Sequence, residues 1–102
     1  MSSIQTAEKE VIRQEILEML SMAGTDGAGE KVLRAALKKA GYELSEEEIL
    51  RQVFYLKEKG LVRTVEVKNV KLGIRRTIAY ITAAGTDYLE GNGGEIPGMD
   101  EG

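Results

Sequence analysis

The 102-residue chain contains no cysteine, no histidine and no tryptophan. Without cysteine there is no disulfide framework, no thiolate nucleophile and no zinc–thiolate site. Without histidine it lacks both the commonest general base and the commonest transition-metal ligand. Aromatic residues are scarce too, with one phenylalanine and four tyrosines. No apolar run approaches the ~20 residues of a membrane span. The opening Met1-Ser2-Ser3-Ile4-Gln5 has neither the basic region nor the apolar block of a signal peptide, so the expected location is cytoplasmic. What remains is 42% hydrophobic and 30% charged, the balance of one folded, soluble domain with a modest core.

Charge is unevenly laid out. The net value of −3 hides three blocks. Residues 1–50 carry six bases against ten acids, residues 51–82 eight bases against two, and residues 83–102 no base and five acids. A basic stretch therefore lies between acidic flanks, and that asymmetry says more about partners than the total does.

Hydrophobic spacing divides the chain into helices and then strands. Ile12, Ile16, Met19, Leu20 and Ala23 recur at helical intervals, predicting a first helix that starts with Thr6 as N-cap and stops at Gly24. A second is expected from Ala28 to Ala40, with Val32, Leu33, Ala36, Leu37 and Ala40 facing inward and Gly41 ending it. Ser45-Glu46-Glu47-Glu48 reads as a capping box, the clearest start signal in the sequence. The third helix then runs to about Lys59, with Ile49, Leu50, Val53 and Leu56 inward. After Gly60 the period changes to two: residues 61–67 and 74–81 predict strands joined through turn formers Asn69 and Gly73. Thr82 is placed to cap a last short helix from Ala83 to about Glu90. The domain is thus read as 1–90, with 91–102 as a flexible, Gly-rich, acidic tail. Three helices, a β-hairpin and a short C-terminal helix give an α+β class in which a helix-turn-helix core bears a wing.

Two junctions carry a closer likeness. Tyr55-Leu56-Lys57-Glu58-Lys59-Gly60-Leu61-Val62 resembles the passage from recognition helix to wing in bacterial winged helix-turn-helix regulators. Tyr80-Ile81-Thr82-Ala83-Ala84-Gly85 is similar to the end of the wing in the same superfamily. The resemblance spans residues 12–90. The Gly-rich tail with Ile96-Pro97-Gly98 adds a narrower likeness to short winged-helix proteins of Mu-like prophages. The likeness to the regulator superfamily implies double-stranded DNA as partner, a role as a small transcriptional regulator, and no cofactor, metal or catalytic residue of its own.

Under that resemblance the third helix would enter the major groove. A projection at about 100° per residue sets Glu47, Arg51, Tyr55 and Glu58 outward, with Phe54 and Glu48 at the flanks. Arg51 and Tyr55 are the candidate base or phosphate contacts, whereas three glutamates would meet a phosphate array unfavourably. The plain alternative is a solvated face on which Glu47 and Arg51 pair. On the hairpin, Lys68, Lys71, Arg75 and Arg76 cluster near the tip, with Arg63 on the first strand, a set suited to phosphates. Charge at an exposed tip also simply discourages edge pairing.

Other readings stay open. The same fold serves as a protein adaptor, and the acidic third helix favours a protein partner instead of DNA. Phe54, Tyr88, Leu89 and the segment around Ile4 are candidates for a homodimer contact, while Tyr42 and Tyr80 are expected to pack in the core or hairpin. Catalysis has little to stand on: Glu8, Glu10 and Glu46–Glu48 lie at exposed helix starts where a raised pKa is not expected. Asp26-Gly27-Ala28-Gly29-Glu30 has the glycines of a phosphate loop without its Gly-Lys-Ser/Thr, and lacks the spaced acids of a calcium loop.

Overall fold

A computed structural model of the chain describes residues 6–91. The expected tail (all but Gly91), the segment around Ile4 and the capping side chain of Thr6 lie outside what is described. The elements run α1 (Thr6–Ala23), a 3-10 turn (Gly24–Asp26), β1 (Ala28–Gly29), α2 (Glu30–Lys39), α3 (Glu46–Glu58), β2 (Val62–Asn69), β3 (Ile74–Ile81) and α4 (Ala83–Leu89). The strands form one antiparallel sheet in the order β1-β3-β2, with β2 and β3 as the long hairpin. This is the winged-helix arrangement.

Buried apolar side chains hold the helices to the root of the hairpin. Ile12, Ile16, Leu17 and Leu20 of α1 meet Leu33 and Leu37 of α2 and Ile49, Val53 and Leu56 of α3, and Leu61, Val62 and Ala79 close the cluster at the sheet. Leu17 extends the buried face of α1 beyond the stripe read from spacing, because α1 packs against α2, α3, α4 and β3 at once. The inner stripe of α2 is narrower than expected. Val32 is 62% exposed and Ala40 is also outside, leaving Leu33 and Leu37 as its apolar buried residues.

The first turn of α2 differs from the reading in a second way. Ala28 and Gly29 form a two-residue strand on β3, so the helix begins at Glu30. Glu30 is buried, and its Oε1 accepts from the Thr77 backbone N–H at 2.8 Å. β1 ends opposite Ile78, and the carboxylate supplies the next acceptor along that edge of β3. The Gly-rich segment that suggested a phosphate loop is therefore committed to strand pairing and to this cap.

The two junctions that carried the resemblance meet in space. Ser45 caps α3 as expected: the Glu48 N–H donates to Ser45 Oγ (3.1 Å) and the Ser45 N–H to Glu48 Oε1 (3.0 Å). At the other end Gly60 takes φ +79°, and the Gly60 and Leu61 amides donate to Lys57 O and Leu56 O. That left-handed closure turns the helix straight into β2. The Thr82 hydroxyl accepts from the Gly85 N–H (3.1 Å) and donates to Gly60 O (2.7 Å), while the Thr82 N–H donates to Leu61 O (3.0 Å). One threonine thus caps α4 and ties it to the end of α3. Gly85 sits so close that a Cβ there would collide with Leu61 O and the Ile81 side chain.

Candidate nucleic-acid interface

The outward face of α3 is set by which residues the core takes. Ile49, Gln52, Val53 and Leu56 are buried, so Glu47, Arg51, Phe54 and Glu58 face solvent. Arg51 pairs with Glu47 at 3.7 Å, the i,i+4 contact read from the sequence. Phe54, expected at the flank, stands out among these charges at 44% exposure.

Tyr55 does not project outward as the helical projection had it. It is half-buried and packs against the core, with the Arg13 guanidinium 3.5 Å from its ring centroid and Lys59 Nζ at 5.3 Å. Arg13 is itself buried on α1, its Nε donating to Gln52 Oε1 at 2.8 Å. Burial holds that guanidinium below its ordinary pKa, with Tyr55 and Glu10 acting the other way. The projection failed because Tyr55 lies at the edge of the exposed arc, where a long-range partner from α1 decides the matter. An arginine at a core-facing position of α1 was the missed signal.

Register decides the layout of the wing. Directly paired residues share a face of the sheet. Thr64, Glu66 and Lys68 therefore lie with Ala79, Thr77 and Arg75, and Arg63, Val65, Val67 and Asn69 with Tyr80, Ile78, Arg76 and Ile74. The first face looks toward α3, since Thr64, Glu66 and Thr77 line a cleft with Phe54 and Lys57. The bases that read as one cluster are thereby split. Lys68 and Arg75 share the α3 side, where Glu66 approaches Arg75 Nε at 3.3 Å and Lys68 Nζ at 4.0 Å. Arg76 stands on the opposite face beside Val67. Arg63 lies on that face too, its guanidinium 4.2 Å from the ring centroid of Tyr80. Lys71 occupies the turn between the strands. All of these except Arg76, which is half-buried, are exposed.

A further set of bases went unread in the sequence. Lys31, Arg34 and Lys38 recur at i, i+3 and i+7 along α2 and are exposed. They border a groove of about 350 Å³ shared with Glu43, Leu44 and Glu46. Arg34 reaches Glu46 and Lys38 reaches Glu43, both at 3.8 Å. The acidic total of the first fifty residues masked them, whereas their helical spacing would have found them.

The remaining aromatic residues pack inward. Tyr42 and Tyr88, with Leu89, are half-buried against the core, and Tyr80 carries Arg63. Among the described residues no group of three or more histidines, cysteines, aspartates or glutamates is placed to hold a metal ion. Among the same residues no helix is long and apolar enough to cross a membrane.

No protein-family description matches the sequence, and no curated protein resembles it closely. The fold has solved relatives. One is the X-ray structure of a PadR-like transcription factor from Bacteroides fragilis, with a TM-score of 0.68 over 80% of this chain and 76% of that one, at 21% identity. What this chain shares with that transcription factor is the winged-helix fold.

Proposed function

We propose that this chain is a non-catalytic, cytoplasmic winged-helix protein that binds double-stranded DNA as a small transcriptional regulator. The observation that carries the reading is the wing itself: five bases against one acid between Val62 and Ile81, displayed on a hairpin beside the exposed face of α3. Lys68, Lys71, Arg75 and Arg76 contact phosphates, Arg63 supports them from the root of the wing, and Arg51 is the arginine on the α3 face available to a guanine edge. A solved relative of the same fold is a transcription factor, which favours this class of partner.

The test is fluorescence anisotropy with a labelled mixed-sequence duplex. The triple variant Lys68→Ala, Arg75→Ala, Arg76→Ala is expected to lose most of the affinity of the parent for any duplex. Equal affinity would remove the wing from the interface.

A second reading rests on Phe54, exposed between Glu47 and Glu58 at the centre of the α3 face. An exposed aromatic ring with Glu47 and Glu58 on its face and Lys57 Nζ 5.9 Å from its centroid suits a protein surface of mixed apolar and charged character, as in an adaptor. Charge reversal at Glu47 and Glu58 would abolish that contact and would strengthen duplex binding instead if the first reading holds. A homodimer belongs to either reading, and light scattering on the full chain checks it.

A further inference from the structure

The distal end of the hairpin carries apolar side chains that the core does not use. Val70 is 92% and Leu72 68% exposed. They sit on a closed turn: the Leu72 N–H donates to Asn69 Oδ1 at 3.1 Å, and the Gly73 N–H to Val70 O at 3.3 Å. Val67 and Ile74 continue the apolar strip along the face away from α3. Around this strip stand Lys68, Lys71, Arg75 and Arg76, with Glu66 the one acid of the hairpin.

Exposed apolar residues on a strand end invite association, and natural proteins seldom leave them without use. A second copy of this chain is a poor occupant, because it would bring together two hairpins that each carry five bases and one acid. A polyanion with an apolar interior suits both features. The minor groove of duplex DNA has phosphate walls for the bases, and between its base steps a space that branched apolar side chains can wedge open. We infer that the Val70–Leu72 tip is an apolar wedge that enters the minor groove and partly unstacks a base step.

Valine and leucine have no donor with which to read a base edge. What such a tip selects is deformability: pyrimidine–purine steps unstack and kink at lower cost than A-tracts. The inference rests on the reading that the chain binds duplex DNA, and it adds a source of sequence preference that phosphate contacts lack.

The test uses the full chain and two duplex probes. One carries 2-aminopurine beside a central TA step, and the other carries a donor and acceptor dye at its ends. Binding of the parent protein should raise 2-aminopurine fluorescence and shorten the end-to-end distance. It should also favour the TA duplex over an A-tract duplex by about fivefold or more, a free-energy difference well within the cost of unstacking one step. The variant Val70→Ser, Leu72→Ser keeps the backbone turn and every base. It should bind mixed duplex within about threefold of the parent with the same salt dependence, since that term comes from the phosphates. Its unstacking signal, bend and TA preference should be gone.

Binding by the parent without unstacking or bending, or a variant that deforms DNA as the parent does, overturns the wedge and leaves DNA binding standing. A variant that changes oligomeric state while deforming DNA normally makes the tip a protein contact and overturns it as well. No binding by the parent to any duplex overturns both readings together.

Discussion

The root of the wing and its tip are built from the same two strands and differ in almost everything else. At the root, Val62 and Ala79 are buried against three helices, and Thr82 interlocks with Gly60, Leu61 and Gly85 through three hydrogen bonds and one glycine-sized gap. From Val67 and Arg76 outward the side chains of the hairpin are exposed or half-buried. A two-stranded hairpin of this kind is marginal by itself in water. The root therefore gives the tip its position, and the tip is free to vary in chemistry without loss of the fold. Stability and function should separate along the hairpin.

Mutations at the root should have the largest effects on stability. Leu56→Ala empties a fully buried position at the hub of α3 and should cost about 2–5 kcal/mol by urea denaturation. Glu30→Ala strips the acceptor from the part-buried Thr77 amide and should cost about 1–3 kcal/mol. Glu30→Gln retains a carbonyl acceptor and should recover much of that loss. If both variants were equally unstable, packing and not the hydrogen bond would be what Glu30 supplies. Thr82→Val removes the α4 cap and the bond to Gly60 O together, and about 1–2 kcal/mol should be lost.

At the tip the order reverses. Glu66→Gln breaks two exposed ion pairs and should shift stability by no more than about 0.5 kcal/mol. The same change frees Lys68 and Arg75, so duplex affinity should rise and fall more steeply with salt. A destabilised Glu66→Gln protein with unchanged affinity would erase the proposed division between root and tip.

Legibility in the sequence follows the same division. The Ser45–Glu48 box, the stop at Gly60 and the cap at Thr82 were readable because each is settled within a few residues of chain. The hairpin was readable from its period, although β2 runs two residues further than expected, to Asn69. β1 was not readable, since two residues show no period. Neither was the Glu30 cap, whose partner lies 47 positions away. Val32 was misplaced because α2 buries a narrower stripe than its apolar content suggests, and Tyr55 because Arg13 of α1 covers it. For the candidate interface, composition found the five wing bases but could not divide them. Only the pairing of Val67 with Arg76 and Lys68 with Arg75 puts them on opposite faces and brings Glu66 among them.

The central claim is that the wing meets phosphates, and the salt dependence of duplex binding tests it most directly. Four neutralised phosphates predict a slope of log K against log salt concentration near −3.6, roughly 0.9 per contact. A slope close to that value for the parent chain, reduced in magnitude by about 2.7 in the Lys68, Arg75 and Arg76 triple variant, is the expected result. No binding even at ~50 mM salt, where electrostatic attraction between exposed charges is weakly screened, would contradict the account and leave the acidic, Phe54-bearing face of α3 as the surface that matters.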